Sequence, residues 1–334
     1  MRILVTGVGG FMGSHLAKAL LKEGHEVHGI DDLSGGYEEN VPPFCDFHMI
    51  DLVDSESVSS MVSFIEPEVI FHLAADATEG RSQFTPTSCT KRNVLATVNL
   101  LTAGINAKMK KFIFTSSMAV YGQQTTPFFE AMERKPVDVY GVNKAMSERI
   151  IEVMAGVHGF QYNIVRPHNV YGPHQNMADP YRNVVAIFIN KLLKKEKFYI
   201  YGDGKQTRAF SYIDDFTPYM IQIMNCKDLN GEIFNIGPTR SYSINKLGEI
   251  VSKAFKVPFD PIYMPKRPVE VKHAFCTVDK AEQMLGYKTT VHLEEGIKKM
   301  VKWAKKLGPQ ETKYLDDLEI ENKQTPETWA KKLI

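Results

Sequence analysis

The segment "RILVTGVGGFMGSHLAKALLKEGHEVHGIDD", residues 2–32, constrains the fold of this chain more than any other stretch. A short β-branched run leads into glycines, an amphipathic run follows, and a second apolar run ends in two aspartates. Gly7, Gly10 and Gly13 follow a G-x-x-G-x-x-G spacing, with Phe11 and Met12 inside the turn. This departs from G-x-G-x-x-G, because Met12 occupies the last glycine position counted from Gly7 and Gly9. A tight turn between strand and helix brings peptide N–H groups and the positive helix end together, which suits a pyrophosphate. Asp31, with Asp32 beside it, follows the next strand, where a carboxylate accepts from an adenosine ribose and repels a 2′-phosphate. The pattern predicts a dinucleotide site that favours NAD over NADP.

The next 130 residues repeat this rhythm. "DFHMI", "PEVIFHL", "KKFIFTS" and "YNIVR" read as strands, separated by helical runs at "SESVSSMVSFI", around "NVLATVNLLTAGINA" and from Val139 to His158. Apolar strands alternating with helices imply a parallel sheet covered on both faces. After Arg166 the pattern breaks at Pro167, Pro173 and Pro180. "YRNVVAIFINKLLKKE" then predicts a helix, and "KFYIYGDGKQTRAFSYIDD" a strand, a glycine turn and a strand. The expected organisation is a dinucleotide-binding domain over 1–165, to which the chain returns around 208–235. A smaller mixed α/β lobe is expected over 166–207 and 236–304, and a charged extension over 305–334. In that extension "TPETWAKKLI" carries a Thr cap, a Pro and a Trp/Leu face, which predicts a short helix with no function legible in it.

Composition narrows the classes of function. A formal net charge of +1 argues against a broad nucleic-acid surface, so any phosphate binding is local. The four cysteines are scattered without CxxC or Cys/His spacing, which indicates neither a disulfide framework nor a metal site. No apolar run is long enough to span a membrane, and a cytoplasmic location is expected.

Within the first half, "FTSSMAVYG" ends a strand with three hydroxyl residues, and "YGVNK" sets Tyr140 and Lys144 on one helix face. The same Y-x-x-x-K spacing recurs at Tyr201/Lys205 and Tyr242/Lys246, so the spacing alone selects nothing. Its place after the strand carrying Ser117 singles out Tyr140. A free phenol titrates near pH ~10, and a neighbouring lysine with a positive nicotinamide ring is expected to draw it down toward neutrality. Tyr140 would then act as acid and base toward a sugar hydroxyl.

With these motifs in order, the chain resembles an extended short-chain dehydrogenase/reductase of the NAD-dependent nucleotide-sugar epimerase/dehydratase family. The resemblance spans about residues 2–304. It rests on "TGVGGFMGSHL", "IDDLS", "VIFHLAA", Asn93, "FTSSMAVYG", "YGVNK", "RPHNVYGP", "YGDGKQTRAFSYIDD" and "DKAEQMLGY". It implies a Rossmann-type doubly wound sheet with a substrate lobe. It also implies that Asp51 and Leu52 flank the adenine, that Leu73, Ala74 and Ala75 pass under the cofactor, and that Asn93 and Pro167 help hold it. Ser117, Tyr140 and Lys144 would form the catalytic set. Asn169, Arg208 and Arg267 would hold the substrate diphosphate, Glu270 the nucleoside ribose, and Ala274 would leave room beside the sugar. Relatives pair the helices near 93–106 and 143–158 across a two-fold axis, so a homodimer is expected.

The leading expectation is a UDP-hexose 4-epimerase. A nucleotide-sugar dehydratase, a UDP-uronate epimerase or decarboxylase, and a catalytically silent NAD-binding relative stay open as alternatives. In the family's 4,6-dehydratases, the hydroxyl residue matching Ser117 is followed by two acids that expel water. Here Met118 and Ala119 follow, and neither can move a proton. Glu79 and Cys89 are the residues that could supply one instead.

Overall fold

The computed structural model describes residues 1–314 and 317–334. Seven parallel strands form the central sheet: β1 (Arg2–Thr6), β2 (Glu26–Asp31), β3 (Asp46–Met49), β4 (Val69–His72), β5 (Lys111–Thr115), β6 (Gln161–Pro167) and a returning strand, Ile233–Ile236. Their order is Ile233–Ile236, β6, β5, β4, β1, β2, β3. Successive strands move outward one way from β1 and then the other way from β4, so a crevice opens at the carboxyl ends of β1 and β4.

Side chains alternate between two cores, one on each face of this sheet. Ile3, Val5, Val69, Phe71, Ile113 and Val165 belong to one. Leu4, Ile70, Phe112, Phe114 and Ile164 belong to the other. Both faces being apolar, the strands read as near-continuous hydrophobic runs rather than as alternation with polar residues. The doubly wound parallel sheet expected from the sequence is the fold of the chain.

Helices α1 (Phe11–Lys22) and α2 (Ser55–Ile65) follow β1 and β3, and Asp54 caps α2 by accepting from the Glu56 and Ser57 amides. The next helical segment departs from a plain helix. It runs from α3 (Pro86–Thr90) through one π turn at Lys91–Leu95 into α4 (Ala96–Asn106). Helix α5 (Val139–His158) has the bounds its pattern predicts. The Asp138 carboxylate caps it at the Gly141 amide (2.7 Å), and Gly159, at φ 77°, ends it.

The second lobe is less regular. The run "YRNVVAIFINKLLKKE" forms the helix Val184–Leu193. The strands on either side of the 202–204 glycine turn do not pair with each other. Tyr199–Tyr201 lies parallel to Ile262–Met264, while Thr207–Ala209 takes Ser241–Ser243 antiparallel and His273–Ala274 parallel. Among the described residues no helix is long and apolar enough to cross a membrane. Val142, Met146, Val153 and Val157 leave an apolar stripe exposed along α5.

Candidate active site

Two adjoining cavities line the carboxyl edge of the sheet. The first, about 210 Å³, is bounded by Gly7, Gly10, Phe11, Met12, Gly13, Asp31, Asp32, Asp51, Leu52, Leu73, Ala74 and Ala75 among others. The second, about 350 Å³, holds Ser117, Tyr140, Lys144, Pro167, Asn169, Arg208, Arg267, Glu270 and Ala274. Phe11, Met12, Leu73, Ala75, Arg182 and Asn183 border both, so the cavities form one cleft.

The dinucleotide end is shaped by backbone. Gly7 has φ 75°, and a Cβ there would stand 2.8 Å from the Ala74 nitrogen. At Gly13 a Cβ would stand 2.1 Å from the Gly7 carbonyl oxygen. Helix α1 therefore rises from the turn closer than any side chain allows. The Asp31 carboxylate accepts from the Gly9 amide (2.9 Å) and the Leu33 amide (2.8 Å), and burial pushes its pKa up. Each of its oxygens keeps a lone pair for a hydroxyl donor. The Thr6 hydroxyl accepts from the Leu73 and Ala74 amides and meets His72 Nδ1 at 2.8 Å, fixing the strand end that passes beside the turn. Burial holds His72 neutral, its pKa down at about 3.

Asn93 stands behind this wall rather than in it. In the π turn, its amide donates to Asp76 O (3.0 Å) and Cys89 O (2.9 Å), tying helix to loop. A π turn in a long helix redirects side chains, and here it swings Asn93 onto the loop that follows β4.

At the other end, β5 and α5 converge. The Ser117 hydroxyl accepts from the Ala119 amide at 3.1 Å, and Lys144 Nζ donates to Thr115 O at 2.9 Å. Below them the buried Glu148 carboxylate accepts from Ser116 Oγ (2.5 Å), from Arg166 Nε (2.9 Å) and Nη2 (2.6 Å), and from Arg134 Nε (2.5 Å). That network pins α5 to β5 and β6, so Lys144 and Tyr140 are held about one and two turns above a fixed point. Met118 and Ala119 are buried against the same cavity.

Burial acts on both Tyr140 and Lys144. Burial pushes the Tyr140 phenol well above its ordinary value; Glu79, Asp138 and Cys89 push the same way, and only Ser117 opposes. These groups of the protein therefore favour the protonated phenol. The same dryness lowers Lys144 itself to about 8. Removing both groups from water disfavours their charged forms. Cys89 is pushed to about 12 by burial, which keeps its thiol protonated at neutral pH.

Arg208 and Arg267 face the cleft together. Burial lowers the Arg208 pKa and Arg267 lowers it further, while Glu79 and Glu270 act against them. Arg267 Nη2 pairs with Glu270 Oε1 at 2.8 Å. Two crowded guanidiniums are relieved by a multiply charged anion such as a diphosphate. Asn169 lies beside them, donating to Ala209 O at 2.9 Å. The parallel register sets Ala274 opposite Arg208.

The remaining Y-x-x-x-K matches separate cleanly. Lys246 pairs with Glu249 away from the cleft, and Lys205 lies in the exposed glycine turn. Tyr201, however, lines the cleft, as do Glu79, Asp138, Tyr181, Arg182 and Trp329. Of these the sequence reading flagged only Glu79. Asp138 was detectable as a helix cap, but its place in the cleft depends on how α5 docks.

A profile of the NAD dependent epimerase/dehydratase family matches residues 3–237. The chain belongs to that family. A putative UDP-glucose 4-epimerase of Methanocaldococcus jannaschii is 35% identical over 305 residues, covering 91% of this chain and 98% of its own. A solved UDP-glucose 4-epimerase of Thermotoga maritima, bound to UDP-glucose, superposes with a TM-score of 0.88 at 34% identity, covering 92% of this chain and 99% of that one. A UDP-N-acetyl-alpha-D-glucosaminuronate decarboxylase of Bacillus cytotoxicus is 33% identical, covering 92% and 98%. Membership of the epimerase/dehydratase family makes NAD the cofactor, and the glycine turn, Asp31 and the 210 Å³ cavity fit a dinucleotide.

Proposed function

We propose that this enzyme inverts C4 of a UDP-hexose, UDP-glucose and UDP-galactose first, with the N-acetylhexosamines admitted beside Ala274. The observation that carries the reading is the pairing of Ser117 and Tyr140 with an apolar neighbourhood formed by Met118 and Ala119. NAD, when bound along the glycine turn, supplies the acceptor for the C4 hydride and a positive ring that favours the phenolate. Tyr140 takes the proton of the 4-hydroxyl and later returns it to the same oxygen. Ser117 holds that oxygen in line, and Lys144 keeps a positive charge beneath it. Arg208 and Arg267 hold the diphosphate while the 4-keto sugar turns over. Met118 and Ala119 give that turning sugar no group to protonate a leaving hydroxyl. A second copy of the chain would cover the Val142–Val157 stripe, which light scattering would register as twice 37.8 kDa.

One observation favours a second reading, elimination of water on the same scaffold. Glu79 and the buried Asp138 both act on Tyr140, and burial with the Glu79 charge raises Asp138 to about 7. Incubation with UDP-glucose, followed by mass spectrometry and proton NMR, separates the two. Unchanged mass with inverted C4 is the expected outcome. A product lighter by one water overturns the epimerase reading.

A further inference from the structure

The charged extension does not hang free of the cleft. After the helix Leu293–Leu307, the Gln310 backbone exchanges two 2.9 Å hydrogen bonds with the buried Asn190 side chain of the substrate lobe. Farther on, the Glu319 and Ile320 amides donate to Phe84 O, and the Glu319 carboxylate accepts from the Thr87 and Ser88 amides at 2.8 and 2.7 Å. Those partners belong to the cofactor domain. The short helix Glu327–Ala330 then turns back, with Thr328 and Trp329 buried. Its start lies one residue beyond the expected one, Pro326 standing before the helix rather than inside it.

Trp329 packs edge-on against Phe84 (6.0 Å) on one side and Tyr181 (5.4 Å) on the other. It lines the 350 Å³ cavity together with Ile334. The Thr328 hydroxyl bonds the Tyr201 hydroxyl, and the Tyr201 ring carries the Arg267 guanidinium 4.7 Å from its centroid. Trp329 and Arg267 meet over Gly80, where a Cβ would stand 3.2 Å from Arg267 Nη1 and 3.3 Å from Trp329 Cη2. A minor part of this chain has no counterpart in relatives that it covers almost end to end.

We propose that the 305–334 extension completes the substrate cleft, Thr328 positioning the diphosphate-binding Arg267 through Tyr201 and Trp329 walling the cleft beside it. The inference rests on the nucleotide-sugar reading above. A cation stacked on an aromatic ring stays aimed only while the ring is fixed. The one hydrogen bond that the Tyr201 hydroxyl makes among the described residues comes from the extension. Thr328 is a positioning residue: without its hydroxyl, Tyr201 and Arg267 regain freedom that binding must then remove.

The test uses full-length NAD-loaded enzyme, with Thr328→Val, Thr328→Ser and Trp329→Phe variants checked for unchanged thermal unfolding. UDP affinity is measured by calorimetry, and KM and kcat with UDP-glucose. Thr328→Val is expected to weaken UDP and raise KM by about five-fold, the scale of one hydrogen bond, with kcat nearly unchanged. Thr328→Ser restores both, and Trp329→Phe, which shortens the wall, raises KM less. A merely structural contact would lower melting temperature and active fraction without splitting KM from kcat. Wild-type binding of UDP with Thr328→Val unaltered overturns the proposal alone. Wild-type enzyme that binds no UDP overturns the nucleotide-sugar reading and this proposal with it.

Discussion

The two ends of the cleft are built by different means. The dinucleotide end comes from three strand ends, β1, β2 and β4, adjacent in one sheet, and its shape is set by main chain: Gly7 at φ 75°, Gly13 against the Gly7 carbonyl, and amides turned onto Asp31. The substrate end gathers side chains from Glu79 to Trp329, carried on the long helix α5, on short strands and turns and on a terminal helix from separate parts of the chain. A backbone site has few sequence solutions and tolerates little. A side-chain site can change its selectivity one residue at a time, so one fold can serve several chemistries.

That contrast predicts unequal responses to adding bulk. Gly13→Ala sets a methyl carbon where the Gly7 oxygen lies 2.1 Å away. Main chain must move, at a cost of about 3 kcal/mol or more. The purified variant is expected to lose bound NAD and melt many degrees lower. Retention of full NAD content would show that the turn yields as readily as the lobe.

Tyr140 lies where the ends meet and tests whether the junction behaves as one unit. Tyr140→Phe should keep fold and NAD content but lower turnover by roughly a hundred-fold or more, the scale of positioned acid–base catalysis. The pH profile sharpens the point. Burial lowers Lys144 to about 8 and keeps Tyr140 far above its usual range. As pH rises through 8, Lys144 loses its charge and the phenolate its neighbour, so kcat/KM of the free enzyme should fall on that limb. In Lys144→Met the limb should vanish from an already slow enzyme. A wild-type profile flat to pH 9.5 would remove Lys144 from this role.

The smallest expected effect is the most selective. Ala274→Tyr adds a ring opposite Arg208 on an edge strand of the lobe, at a buried position beside Val271 and Cys276 that also lines the cleft. UDP-N-acetylglucosamine should lose about ten-fold in kcat/KM relative to UDP-glucose, with a melting temperature lowered by a few degrees from overpacking, as expected for a steric penalty of about one to two kcal/mol. Equal losses on both substrates would show that Ala274 does not gate the sugar.

Much of the cofactor end was legible beforehand because its information is local. One turn, helix α1 and strand β2 separate Gly7 from Asp31, and the period of the apolar runs fixes which faces are buried. Helix α5 was expected from about Val139 to His158, and in the structure Asp138 and Gly159 cap it there. Asn93 was placed in the right helix but assigned to the cofactor, since no pattern announces a π turn that rotates it onto Asp76 and Cys89. The burial that raises the Tyr140 phenol was not legible, because desolvation depends on every atom packed around it.

The sequence by itself determined the doubly wound sheet, the aspartate that ends β2 and the placing of Tyr140 and Lys144 on one helix face, because strand period, turn chemistry and helix spacing act over a few residues. Only the tertiary structure decided that Tyr201 and Arg267 stack, that Glu79 and Asp138 crowd Tyr140, and that Thr328 and Trp329 close the same cleft. Those contacts join residues far apart in the chain, or groups whose charge depends on the water excluded around them. No local pattern encodes either, since both arise only when the lobe, the sheet and the extension pack together.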